Sequence, residues 1–79
     1  MDLASAKHAE IKANAELTLA YWSFVEARTD WRSASTEYER LMKASELAKA
    51  AATYTEARLR AKEARATVAR LREGIAASG

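Results

Sequence analysis

Residues 47–75 read LAKAAATYTEARLRAKEARATVARLREGI, and this stretch decides the fold. Its apolar side chains recur at alternating steps of three and four residues, which is the spacing of one face of an α-helix. This face, called the seam below, comprises Leu47, Ala50, Tyr54, Ala57, Ala61, Ala64, Val68, Leu71 and Ile75. About four unbroken heptads predict one long helix that packs along a neighbouring helix.

The composition extends this prediction to the rest of the chain. Proline and cysteine are absent, glycine occurs only at positions 74 and 79, and alanine provides 20 of the 79 residues. Alanine is the best helix former, and a chain with so few helix breakers is expected to be helical nearly throughout. We therefore expect an all-α fold in a single domain, residues 1–79, built as an antiparallel hairpin of two long helices.

Local signals place the helix boundaries. We expect helix 1 at about residues 3–28, a connection at about 29–35, helix 2 at about 36–73 and a frayed tail at 76–79. The connection is where Ser, Thr and Asp are densest, and these side chains compete for backbone hydrogen bonds.

Capping residues are consistent with these boundaries. Asp2 or Ser5 can serve as the N-cap of the first helix. Thr36 and Glu39 have the spacing of a capping box at the start of the second. Gly74 is the type of residue that follows the last turn of a helix.

The segment from the connection into the second helix carries an apolar face that is out of register with the seam. Trp31, Ala34, Tyr38 and Leu41 share this face, which at ~100° per residue lies well around the helix from the seam. Either the helix breaks near residues 43–46, or one continuous helix shows different faces to different partners. Nothing in residues 43–46 forbids a helix, which favours the continuous one.

The first helix carries two apolar stripes where a single helical neighbour would cover only one. The first stripe contains Leu3, Leu17, Tyr21 and Phe24, and the second stripe contains Ile11, Ala15, Leu19 and Trp22, with Val25 between them. A chain this short is also marginal as a monomer. We expect a coiled-coil-like homodimer, with a three-helix bundle of the same chain as the alternative.

The charges are unevenly distributed. Residues 1–30 carry a net charge of −2 and residues 31–79 a net charge of +4. On the last helix a basic face flanks the seam, formed by Arg58, Lys62, Arg65 and Arg72. We expect acidic residues of the first half, such as Glu10 and Glu16, to pair with this face; the alternative is a footprint for phosphate backbone or for an acidic face of another protein.

The chain shows no signature of catalysis or of a cofactor. His8 is the single histidine, and no second ligand stands at metal-binding spacing from it. No nucleophile elbow or glycine-rich phosphate loop is present. We therefore expect neither an enzyme nor a metal-binding or cofactor-binding protein.

The functional expectation is a small protein–protein interaction module, an adaptor or inhibitor acting as a homodimer. The expected partner-binding residues are Leu17, Tyr21, Trp22, Phe24 and Trp31, because aromatic residues are typical interface anchors. The expected dimer or hairpin seam is Tyr54, Ala61, Val68, Leu71 and Ile75. The alternative function is a nucleic-acid-associated protein that uses the basic face.

The chain is expected to be cytoplasmic and to have no membrane span. Its start, Met1-Asp2-Leu3, is acidic where a signal peptide would be basic. The most apolar run, Leu17–Val25, falls far short of the roughly 20 residues that cross a bilayer.

Overall fold

A computed structural model describes residues 1–78 and shows two helices packed as an antiparallel hairpin. Helix α1 spans Leu3–Arg32 and helix α2 spans Glu37–Ser78, with a tight turn at residues 33–36. The described residues contain no strand and no third helix. The predicted all-α hairpin is confirmed. The three-helix alternative is wrong, because two long helices contain nearly all the described residues.

The hairpin is a thin rod, 63 × 15 × 13 Å along its principal axes. At ~1.5 Å per residue, the 42 residues of α2 alone span about 63 Å, whereas the 30 residues of α1 span about 45 Å. Helix α2 therefore projects beyond α1. Residues 37–42 and 72–78, at its two ends, are all exposed.

The core consists almost entirely of alanine. The buried residues are Ala6, Ala13 and Ala20 on α1, and Ala57, Ala61 and Val68 on α2. The seven-residue steps along α1 keep one face turned toward α2 over its whole length. Because alanine has a single methyl group, the two backbones approach closely but remove little apolar area from water.

The seam packs against α1 within the same chain. From Leu47 to Leu71 each of its members is buried or half-buried. Ile75 is different, with 57% of its surface exposed, because it lies in the part of α2 that extends past the start of α1. The interface that could have joined two copies is therefore used to close the hairpin.

Helix α2 is uninterrupted through residues 43–46, as the second interpretation of its register expects. Lys43 and Glu46 form an ion pair of 3.4 Å across this segment. The out-of-register residues Tyr38 and Leu41 remain exposed near the turn instead of joining the seam.

The predicted end of the first helix, at residue 28, is wrong by one turn. Helix α1 continues to Arg32, and Ser33 still donates its backbone N–H to the carbonyl of Thr29. The Thr29 hydroxyl donates to the Val25 carbonyl, four residues back. A threonine bonded in this way satisfies its hydroxyl on its own helix and does not compete with it, so the Ser/Thr-rich segment starts later than its composition indicates.

The predicted end of the second helix, at residue 73, is also wrong. Helix α2 continues to Ser78, and Gly74 does not adopt the left-handed conformation of a terminal glycine. A lone glycine costs a helix only about 1 kcal/mol relative to alanine, and two strong helix formers, Ala76 and Ala77, follow it. Of the tail predicted to fray, residues 76–78 are helical, and Gly79 lies outside the described residues.

Both helices start at side-chain caps. Asp2 is the N-cap of α1 and accepts a 2.7 Å hydrogen bond at Oδ1 from the backbone N–H of Ser5. At α2 the Thr36 hydroxyl oxygen accepts from the backbone N–H of Glu39 at 3.1 Å. The Glu39 carboxylate reaches back to the N–H of Ser35, one residue before the partner of a standard capping box.

Replacing Ala61 with leucine tests the alanine core. Ala61 is completely buried, so Ala61→Leu has to separate the helices and should lower the free energy of unfolding by about 1–3 kcal/mol. Ala66→Leu makes the same change on the exposed side of α2 and should alter it by less than about 0.5 kcal/mol. Denaturant unfolding followed by circular dichroism measures both, and equal losses would contradict the packing described here.

The Asp2 cap predicts a dependence of stability on pH. The hydrogen bond from the Ser5 backbone, with help from the Ser5 hydroxyl, lowers the pKa of Asp2 below its ordinary value. A group whose pKa is lower in the folded state stabilises the protein above its unfolded pKa, and this contribution is lost as the pH falls through the folded pKa. The parent chain should therefore be more stable than Asp2→Asn near neutral pH.

Asparagine retains an acceptor oxygen but carries no charge, so it is the matched control for this effect. The stability difference between the two proteins should shrink to nothing in strong acid, where Asp2 is protonated as well. Unfolding curves recorded across the acid range measure it. A difference that stays constant with pH would show that the charge of Asp2 is not involved.

Candidate interaction surface

The second stripe of α1, called the outer stripe below, lies on the side of the helix that faces away from α2. Ile11, Leu19 and Trp22 are 67%, 70% and 61% exposed, and Ala15 between them is exposed as well. At ~100° per residue these positions are roughly opposite Ala6, the first residue of the buried row. The hairpin thus buries one stripe of α1 and leaves the other without a partner in the described chain.

The aromatic residues are divided between the two sides. Phe24 stacks on Tyr54 of α2 with ring centroids 5.6 Å apart and planes at 21°, and Tyr21 meets the same ring edge-on at 5.7 Å. Trp22 contacts Tyr21 edge-on at 5.3 Å but points away from α2. The predicted partner-binding set therefore contains residues with two different roles.

Leu17 and Phe24 of that set are half-buried against α2 and belong to the hairpin interface. Tyr21 is partly exposed above that interface, at its edge. Trp31 lies near the turn, where Tyr38, Leu41 and Met42 are also exposed. Of the five predicted residues, Trp22 alone lies in the outer stripe.

Charged residues, together with the histidine His8, flank the outer stripe in an ordered way. His8 and Lys12 precede its centre on the side that carries Leu19, and Glu26 and Asp30 follow it on the same side. All four are exposed. Along this edge of α1 a basic end therefore passes into an acidic end.

Three members of the basic face line a groove between the helices. This basic groove has a volume of about 560 Å³ and is lined by Leu17, Thr55, Arg58, Leu59, Lys62 and Arg65. The guanidinium of Arg58 lies 5.7 Å from the centre of the Tyr54 ring, close enough for a cation–π contact. Arg72, the fourth member, is exposed farther along α2, in the part that extends past α1.

The expected neutralisation of the basic face by Glu10 and Glu16 is wrong. Glu16 pairs with Arg60, at 3.8 Å, on the other side of the hairpin, and Arg60 also pairs with Glu56 at 3.4 Å. Within residues 1–78 no carboxylate lies within 4.0 Å of Arg58, Lys62, Arg65 or Arg72. The cause is the rotation of α2 about its axis, which turns Arg60 and not Arg58 toward Glu16.

The sequence-predicted site set left out exposed residues that the structure makes prominent. Ile11 and Leu19 belong to the second stripe that the sequence predicts, but the predicted partner-binding set does not include them. Leu59 lies off the seam and is 55% exposed at the rim of the basic groove. The signal for Leu59 was available, because a leucine two residues away from the seam residue Ala57 cannot share its face.

Among residues 1–78 no group of three or more His, Cys, Asp or Glu side chains lies close enough together to hold a metal ion. Neither α1 nor α2 has a stretch long and apolar enough to cross a membrane. No known protein family, curated protein or solved structure matches this chain.

Proposed function

We propose that the chain is a non-enzymatic protein–protein interaction module that works as a homodimer through the outer stripe of α1. The observation that carries this proposal is the exposure of Ile11, Leu19 and Trp22 on one continuous helical face. Apolar stripes of this kind on soluble helices ordinarily pack against another helix. Because the seam is already occupied within the hairpin, we assign self-association to this other surface.

The exposed area of the hairpin supports association. A folded monomer of 8.7 kDa ordinarily exposes about 4,700 Å², whereas this chain exposes 6047 Å². The excess of about 1,300 Å² is larger than the roughly 800 Å² that each partner contributes to a standard protein–protein interface. A rod of two helices buries little of its surface as a monomer. A partner packed along its side would bury more of it.

The arrangement of charges and side-chain sizes favours an antiparallel pair of α1 helices. In that orientation Lys12 of one copy approaches Glu26 of the other, and the symmetry of the pair repeats this contact. Trp22 of each copy then lies opposite the small side chain of Ala15 in its partner. A parallel pair would instead bring Lys12 against Lys12 and Trp22 against Trp22.

A dimer built in this way would act by occupying surfaces of other proteins, as adaptors and inhibitors do. The two hairpins would leave the faces of α2 free on both sides of the assembly. This arrangement suits a protein that connects or blocks partners, and it needs no catalytic group.

Removing the Trp22 side chain tests the proposed interface. Trp22→Ala should weaken self-association by about 30-fold or more, because an aromatic anchor at the centre of an interface carries at least about 2 kcal/mol. Sedimentation equilibrium measures the dissociation constant. Tyr38→Ala removes another exposed aromatic residue, which lies near the turn and far from the outer stripe. This variant should leave the dissociation constant unchanged.

Two results would refute this interface. One is a parent protein that sediments as a monomer at all accessible concentrations while keeping its full helicity by circular dichroism. The other is a dimer that tolerates Trp22→Ala but is lost in Tyr38→Ala, which would move the contact to the turn.

Exchanging the charges tests the antiparallel orientation. Lys12→Glu and Glu26→Lys should each weaken the dimer, by about fivefold or more at low ionic strength, because each places like charges opposite each other twice per dimer. The double variant restores opposite charges and should recover most of the affinity, as a double-mutant cycle reveals. Losses that simply add in the double variant would exclude contact between these residues.

A further inference from the structure

The basic groove has two chemically different parts. Leu17 of α1 and Leu59 of α2 give it an aliphatic lining, and Arg58, Lys62 and Arg65 stand along α2 at one side. These three cations follow one another at steps of four and three residues, so they extend over about 10 Å of helix. A surface of this form matches a ligand that has an apolar face and one acidic edge.

The cations of the groove have no carboxylate partner within the described hairpin, although Arg58 also lies over the Tyr54 ring. No carboxylate of residues 1–78 lies within 4.0 Å of any of them. In contrast, Arg60, on the opposite side, contacts two glutamates. The chain therefore satisfies the cation on one side of α2 and leaves the cations on the other side available.

We infer that the basic groove binds an acidic amphipathic helix of another protein, with its apolar side on Leu17 and Leu59 and its carboxylates toward Arg58, Lys62 and Arg65. Laying the apolar face of a helix into a groove between two helices is a recurrent mode of peptide recognition. The ordinary spacing of packed helices, about 8–10 Å between axes, lets such a helix touch α1 and α2 together. The long stems of the three cations can cover its flank while their charged ends meet its carboxylates.

A second copy of this chain fits the groove poorly. Every copy presents the same cations there, so two grooves placed face to face would repel each other. Of the α1 carboxylates, Glu16 is already paired with Arg60, Glu26 lies along the outer stripe, and Glu10 is half-buried on the face of α1 that carries Leu17. The occupant is therefore expected to be a different polypeptide.

Duplex nucleic acid also fits the groove less well than an acidic helix does. The aliphatic lining contributed by Leu17 and Leu59 has no counterpart in a phosphate backbone. The chain as a whole carries a net charge of only +2, so outside the groove it adds little attraction for a phosphate backbone.

A designed peptide provides the probe. It has about 21 residues in three heptads, with leucine at the a and d positions and glutamate at e and g, and it carries a fluorophore. A second peptide has the same composition in an order that destroys the apolar face. Fluorescence anisotropy should show at least tenfold tighter binding of the amphipathic peptide to the parent protein.

Charge reversal in the groove supplies the decisive variant. Arg58→Glu, Lys62→Glu and Arg65→Glu together should weaken binding of the amphipathic peptide by at least tenfold. Arg40→Glu, Lys49→Glu and Arg70→Glu together change the net charge by the same amount at exposed positions outside the groove and should have a much smaller effect. Leu59→Ser, at an exposed rim position, should also weaken binding without loss of helicity.

The outcomes separate this inference from the proposed dimer. Peptide binding that persists in Trp22→Ala supports a groove distinct from the outer stripe, whereas its loss there would overturn the assignment. Equal binding of the two peptides, or equal effects of the two triple reversals, would also overturn it.

Two further outcomes name other occupants. If the groove reversal abolishes binding of a DNA duplex of about 20 base pairs but leaves peptide binding intact, the ligand is nucleic acid. If the groove reversal changes the sedimentation of the protein alone, the ligand is a second copy. Either result would overturn the inference that the groove binds an acidic helix.

Discussion

The close contact of two alanine-lined helix faces is the constraint on which the rest of this structure depends. Five of the six buried residues are alanine, and they lie at heptad-like steps along both helices. Such a contact places the helices very near each other, but each residue removes little apolar surface from water. The larger side chains therefore have to be accommodated beside or outside this contact. Phe24 and Tyr54 stack along its edge, whereas Trp22 is left on the outside.

The same constraint explains why the molecule has two unlike sides. The alanine contact fixes the rotation of α2 about its axis. In this rotation Arg60 faces Glu16 and forms an ion pair with it. Arg58 and Arg65 then turn to the other side, where α1 offers Leu17 and, among the described residues, no carboxylate within 4.0 Å. Arg58 and Arg60 are only two residues apart on α2, yet Arg60 helps to hold the hairpin together whereas Arg58 faces the groove.

Features that depend on neighbours in the chain could be predicted from the sequence, and features that depend on how the helices meet could not. The period of the seam and the caps at Asp2 and Thr36 are local, and each has its counterpart in the structure. The exposure of Ile75 depends on how far α1 extends along α2, because α1 does not reach that residue. The pairing of Arg60 with Glu16 depends on the relative rotation of the two helices. The helix ends were misplaced because Thr29 and Gly74 were judged by residue type, whereas their hydrogen bonding and conformation depend on the turns around them.

The unequal lengths of α1 and α2 give the rod a gradient of local stability. In its middle, opening α2 has to separate it from α1, but in residues 72–78 the helix is supported by its own backbone alone. Isolated helical turns are marginal in water, so amide protons in this arm exchange through local opening and do not report the unfolding of the hairpin. Hydrogen exchange along this single helix would therefore measure two different quantities. At its end it reports the helix–coil equilibrium, and at its centre it reports the strength of the alanine contact.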